Sequence, residues 1–251
     1  LRALPLTHLA FQPGADSTFS RSTLTDVNVE PYDKLDGVEA SVLGVSFFNA
    51  KRANGSTIDM ALFGIPEDSF LAPRGEARQA LAGRPGLVLS DEFQTDGIKV
   101  GDLLTVVGID EELPVLGFTY SGSYGHVPIA FTSLETWQDL LYGDNAKGRF
   151  SAIALKADDG TNFAAAEQAS DTEAETKDAA YAGSPGYTGE TSTMSLIQNF
   201  LLVISALIVG AFFTVWTVQR ASQIALLRAL GASRSYVLRD ALGHMAIVLV
   251  S

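Results

Sequence analysis

Cysteine is absent from the 251 residues. Disulfides, thiol catalysis, iron–sulfur clusters and Cys-based zinc sites are therefore excluded. The same absence says little about compartment, because many exported bacterial proteins also lack Cys. Histidine is scarce: His8, His126 and His244 lie far apart in sequence and show no metal-ligand spacing. An ordinary surface or packing role is the simpler reading of each, and no metal site is expected. Basic residues are few, 17 Lys/Arg against 29 Asp/Glu, for a net charge of −12. Such a chain lacks the basic surface that nucleic acid requires, so no nucleic-acid partner is expected. Catalytic motifs are missing as well. There is no nucleophile elbow, no phosphate-binding P-loop and no His-Glu-x-x-His, and Gly117, Gly122 and Gly125 do not open a nucleotide-binding helix. Asp110, Glu111 and Glu112 read as a solvated turn, and the acidic stretch 167–178 as a solvated helix face.

What is present is unevenly distributed. Residues 1–195 hold 13 Lys/Arg and 28 Asp/Glu, a net of −15, whereas residues 196–251 hold four Arg and one Asp, a net of +3. Hydrophobic content of 47% and charged content of 18% exclude a wholly disordered chain, and the length allows one large domain or two modest ones. No charge occurs from Thr191 to Gln219, and the 23 residues Leu196–Val218 are mostly apolar. About 20 residues cross the ~30 Å hydrocarbon core as a helix. A transmembrane helix is expected over 191–218. The run lies too far from the N-terminus for a signal peptide. Arg220, Arg228, Arg234 and Arg239 follow it, while Asp171, Glu173, Glu175, Asp178 and Glu190 precede it. This asymmetry puts the C-terminal side in the cytoplasm and residues 1–190 outside it. Residues 241–251 begin another apolar run. That run and the abrupt start at Leu1 lead to the expectation of an internal fragment of a multi-pass protein, with spans on both sides.

Residues 35–156 alternate short apolar runs with turn signals. Glu39–Phe48 and Ile58–Ile65 flank Asn54-Gly55, a hairpin signal. Further strands are expected at Gly86–Leu89, Leu103–Ile109, Leu113–Phe118, Val127–Phe131 and Ile153–Lys156. A helix is expected from Thr132 to Leu141, with Thr132 and Glu135 at capping-box spacing. Asn162–Thr176 reads as a second helix and Ala182–Thr193 as a Gly/Ser/Thr-rich connector into the membrane. The expected class is an α+β extracytoplasmic domain of two lobes, the β-rich one at about 86–130, joined to transmembrane helices.

Residues 219–240 form an expected cytoplasmic elbow. Ile224, Leu227 and Leu230 recur at helical spacing, Gly231 fits a helix stop and Ser233 a new cap. Such an elbow suits either a cytosolic partner or the membrane surface.

The stretch Gln219-Arg220-Ala221-Ser222-Gln223-Ile224-Ala225-Leu226-Leu227-Arg228-Ala229-Leu230-Gly231-Ala232-Ser233 resembles the cytoplasmic segment of FtsX-like, or MacB-type, ABC-transporter permeases. Gln223 stands where many members have Glu. The resemblance implies that Arg220, Gln223, Ile224, Leu227, Arg228, Leu230 and Gly231 couple to a cytosolic ABC ATPase subunit. ATP and Mg would be bound there, with no catalysis and no intrinsic cofactor on this chain. It also implies a homodimer of permeases in the bacterial cell membrane. Phe11-Gln12-Pro13-Gly14-Ala15-Asp16, Phe19-Ser20-Arg21-Ser22, Gly101-Asp102-Leu103, Pro114-Val115-Leu116-Gly117-Phe118 and Phe131-Thr132-Ser133-Leu134-Glu135-Thr136-Trp137 are similar to the heme-exporter branch. Heme, as transported substrate, is what that similarity implies.

An apolar cargo with two carboxylates and an iron needs apolar walls and O, N or S ligands. Tyr181, Tyr187, Glu190 and Met194 stand at the expected outer mouth of the span, and Tyr187 and Glu190 are the preferred pair. The plainer alternative makes the tyrosines interfacial anchors and Glu190 a solvated flank. Phe200, Phe212 and Phe213 suit an apolar path or lipid packing. Gln198 and Asn199 suit a dimer interior. Two other functions remain open: a mechanotransmission permease relaying ATPase motion to an outer partner, and a sensor with one or two spans. Lipoprotein or peptide cargo is a variant of export.

Overall fold

A computed structural model describes residues 4–73, 75–82, 84–146, 148–184, 187–237, 239 and 243. In chain order the elements are β1 (His8–Phe11), α1 (Asp26–Asp33), β2 (Val38–Arg52), β3 (Thr57–Ile65), α2 (Glu76–Leu81), β4 (Leu87–Ser90), α3 (Glu92–Thr95), β5 (Leu103–Val106) and β6 (Glu112–Thr119). Then come β7 (Ser123–Tyr124), β8 (Val127–Ser133), α4 (Leu134–Tyr142), β9 (Ala152–Ala157), α5 (Ala164–Ser170), β10 (Glu173–Thr176), α6 (Lys177–Ala182), α7 (Tyr187–Gln219) and α8 (Ala221–Ala229). Two compact units emerge, 1–189 and 190–251.

The first unit is α+β, built on one long strand that serves two neighbourhoods. Val38–Leu43 of β2 pair antiparallel with β9, and Gly44–Lys51 pair with β3. Ser151 manages the parting. Its N–H donates to Leu43 O at 3.0 Å, and its hydroxyl accepts from Val45 N–H at 3.2 Å. On one side the order runs β2-β9-β1-β10. On the other, β2-β3-β8-β4-β6-β5 returns to β2 through Ala50↔Val106 and Arg52↔Leu104, closing a six-stranded ring. Closure removes the free edges that an open sheet would present. The ring draws in the 44–65 hairpin as well as the 86–130 strands, because β2 and β3 supply its first two staves.

Alternation along the strands explains the burial. In β3, Ala61, Phe63 and Ile65 join one core while Met60 and Leu62 join another. In β9, Ala152 and Ala154 face the first core while Ile153 and Leu155 pack with Tyr32, Phe150 and Phe163. Successive side chains of a strand point to opposite faces, so a strand apolar throughout must be covered on both.

Three local expectations need correction. The cap of α4 is Ser133, not Thr132. Ser133 Oγ accepts from Thr136 N–H at 3.1 Å, and the buried Thr132 hydroxyl instead donates to Gly86 O at 2.9 Å. Ser133→Ala is expected to cost about 1 kcal/mol, read as a lowered thermal midpoint of the full chain in detergent. An unchanged midpoint would show that the cap is dispensable. The helix expected over Asn162–Thr176 ends at Ser170. Asp171 takes φ 50° and turns the chain, and Glu173–Thr176 pair with β1 as an edge strand. The connector 182–193 is largely helix, since α7 begins at Tyr187.

In the second unit, α7 continues to Gln219, and its stretch Gly189–Gln219 has a peak mean hydropathy of 2.4. At 1.5 Å per residue those 31 residues measure roughly 46 Å. That exceeds the ~30 Å hydrocarbon core. By length and composition the helix can cross a membrane.

Candidate functional site

The elbow has a defined local shape. α7 stops at Arg220 (φ −94°, ψ 2°), and α8 starts at once. Arg220 serves both ends of the break. Its guanidinium carbon lies 4.8 Å from the Trp216 ring centroid, and its Nε donates to Gln223 Oε1 at 3.2 Å. A guanidinium over an indole face is attracted by the ring quadrupole. This break and its clasp were invisible in the sequence, which reads as one continuous helix into the cytoplasm. The Trp216–Arg220 spacing of four was the available signal.

Beyond α8 the chain turns where expected. Gly231 has φ 96°, a conformation open to glycine, and its N–H donates to Arg228 O at 3.1 Å while Ala232 N–H donates to Leu227 O at 3.0 Å. Ser233 Oγ accepts from Tyr236 N–H at 3.2 Å and starts the next turn. Leu227, Leu230, Gly231, Ala232, Ser233 and Tyr236 line an open recess of about 520 Å³. Leu226 and Leu230 stand out as apolar teeth, 63% and 77% exposed. Ile224 is half-buried, and Arg228 closes the last turn of α8. The seven coupling candidates therefore occupy one break, one short helix and one stop. The next apolar run, 241–251, lies outside the described residues apart from the helical position 243.

The mouth candidates fall in two places. Tyr181 lies on α6 and Tyr187 opens α7; their rings meet edge-on with centroids 5.4 Å apart. Both are half-buried. Glu190 lies in the first turn of α7 and is exposed, as is Met194 at 63%. The Tyr181–Tyr187 contact is the part the structure brings together directly.

His8 packs edge-on to Phe163 at 4.9 Å, and His126 occupies a turn with φ 65°. His244 is outside the described residues. Among the described residues no group of three or more His, Asp or Glu is arranged to hold a metal ion.

No family model matches the chain. A curated relative named for hemin transport, the permease protein HrtB of Staphylococcus haemolyticus (strain JCSC1435), is 21% identical over 244 residues, 95% of this chain. That match runs through both the first unit and the elbow. The chain resembles FtsX/MacB-like ABC permeases. HrtB of Staphylococcus epidermidis (strain ATCC 12228 / FDA PCI 1200) is 21% identical to this chain over 162 residues, 64% of it. The chain spans 65% and 45% of the length of these two relatives. Among solved structures, the periplasmic region of MacB from Actinobacillus actinomycetemcomitans superposes with TM-score 0.49 at 14% identity, covering 70% of this chain and 92% of its own. The extracellular domain of the ABC-type transporter YknZ from Gram-positive bacteria gives 0.46 at 13% identity, covering 68% and 98%.

Proposed function

We propose that this chain acts in an ABC exporter as its permease subunit, with ATP hydrolysed by a separate cytosolic ATPase. The observation that carries the reading is the match over 95% of the chain to a protein named for hemin transport. The elbow supports it: exposed leucines, a recess and arginines provide a docking surface with apolar teeth and a charged rim. ATPase closure would push on residues 219–232, and α7 would transmit that motion outward. In this reading α7 is a membrane span, residues 1–190 are extracytoplasmic, 219–240 are cytoplasmic and further spans exist. Two permease copies work together. The cargo is heme or a similar hydrophobic compound, with Tyr187 and Glu190 as the preferred contacts and Tyr181 and Met194 as further candidates.

The test is ATPase activity of the reconstituted permease–ATPase complex with and without hemin. Hemin is expected to stimulate hydrolysis, and Leu230→Asp in the elbow to reduce stimulation at least tenfold. Hydrolysis indifferent to hemin, together with an extracytoplasmic hydrolase that co-purifies, would replace export by mechanotransmission. Soret titration of the same permease then separates the ligands. Tyr187→Ala and Glu190→Ala are each expected to weaken hemin binding, and unchanged spectra and affinity would remove both from the site.

A further inference from the structure

A second candidate site lies wholly within the outer unit. A cleft of about 640 Å³ opens beside residues 70–73. Clefts of roughly 300–1,000 Å³ accommodate drug-sized ligands. Its walls are aromatic through Phe70, Phe118 and Tyr120, and they carry the cations of Arg78 and Lys156 against the single carboxylate of Asp91. Among the lining side chains cations outnumber carboxylates two to one, although residues 1–195 carry twice as many acids as bases.

The wall is built rather than incidental. Ser69 is buried, and its hydroxyl hydrogen-bonds the Ser41 hydroxyl of β2 at 2.7 Å and accepts from Leu71 N–H at 3.1 Å. These bonds tie the loop bearing Phe70 to the sheet, so the cleft is formed before any ligand arrives. Lys156 Nζ sits 5.9 Å from the Phe70 centroid and 3.0 Å from Glu39 Oε2. Both partners of that ion pair are 55% exposed, and such pairs are weak enough to yield to a ligand carboxylate. Asp91 Oδ1 accepts from Gln94 Nε2 at 2.9 Å, which occupies part of its charge. Tyr120 packs edge-on to Phe131, and burial pushes its phenol up to about 12. At neutral pH it is a hydrogen-bond donor, not a phenolate.

We propose that this cleft binds a planar amphipathic anion, with its ring face on Phe70, Phe118 and Tyr120 and its carboxylates on Arg78 and Lys156. Flat rings stack on aromatic faces, and cations select carboxylates. Recognition then depends on ring and charge and needs no metal in the ligand. The site is separate from the mouth residues. The exporter reading guides only the choice of a porphyrin as probe.

Fluorescence titration of the full chain in detergent with metal-free protoporphyrin IX tests it. Saturable binding is expected, at least tenfold weaker for the uncharged dimethyl ester and for Arg78→Gln/Lys156→Gln. Both positions are exposed, and circular dichroism checks the fold. Asp91→Asn, which removes the opposing charge, is expected to tighten binding about threefold, since ~0.7 kcal/mol is a factor of about three. Absent binding, or equal affinity for acid and ester or for wild type and the double variant, overturns the proposal. Binding here without hemin-stimulated hydrolysis would reject the exporter reading alone. Stimulation by hemin with no porphyrin in this cleft would reject this site alone.

Discussion

Trp137→Ala is expected to destabilise the first unit, residues 1–189, by about 3–5 kcal/mol, the largest single effect anticipated for its core. Trp137 is fully buried on α4 against the closed ring. Its indole occupies a slot made by two glycines that face each other across β2 and β3, Gly44↔Gly64. A Cβ at Gly44 would lie 2.4 Å from Trp137 Cδ2, and one at Gly64 would lie 2.3 Å from Trp137 Cβ. Alanine at 137 therefore empties a volume shaped for two rings. Alanine at Gly44 or Gly64 does the opposite and overpacks the slot, costing about 1–3 kcal/mol. The pair Gly44→Ala/Trp137→Ala should be less harmful than the sum, because the new methyl enters the space the indole vacates. For a unit of this size each kcal/mol moves the midpoint by roughly 2–4 °C, so Trp137→Ala should fall by about 6–20 °C. Near-UV circular dichroism of the full chain in detergent reads it. A fall under 2 °C would mean that α4 is not keyed to the ring by this side chain.

Leu207→Arg should weaken membrane insertion of α7 by about 2.5–3.5 kcal/mol, the cost of a guanidinium at the centre of a span. That is on the order of a hundredfold in the inserted fraction, since 1.4 kcal/mol is tenfold. Leu207 lies mid-way along the charge-free stretch and is 67% exposed on the helix surface. Leu226→Arg, on α8 and 63% exposed, is the control and should leave insertion unchanged. Carbonate extraction of membranes from cells making each variant distinguishes them. Equal retention of Leu207→Arg and wild type would remove α7 as a span.

Much of the local structure was legible because it depends on neighbours in sequence. The Asn54-Gly55 turn is one example: Gly55 takes φ 85°, and Asn54 Oδ1 accepts from Ser56 N–H at 2.9 Å. The stop at Gly231 and the cap at Ser233 are others, since a positive φ and a hydroxyl two or three residues from its N–H are properties of a few adjacent residues. The errors share a cause. Glu173–Thr176 has helix-favouring composition, yet the vacant side of β1 offers a ladder of hydrogen bonds, and tertiary pairing overrides propensity. Thr132 and Ser133 are both good caps by type. Only the carbonyl of Gly86, 46 residues upstream, decides that Thr132 is needed elsewhere.

The same division holds for function. The charge split, the apolar run and the elbow motif are one-dimensional features, and the sequence alone determined an acidic first part, a candidate span and a resemblance to ABC permeases. The closed ring required β2 to pair with both β3 and β5, which no local pattern encodes. The aromatic cleft required Phe70, Arg78, Asp91, Tyr120 and Lys156 to meet across 87 positions of chain. Only the tertiary structure could decide these, because contact between residues far apart in sequence is set by the packing of whole elements. Periodicity within an element reports which face is buried, but not what covers it.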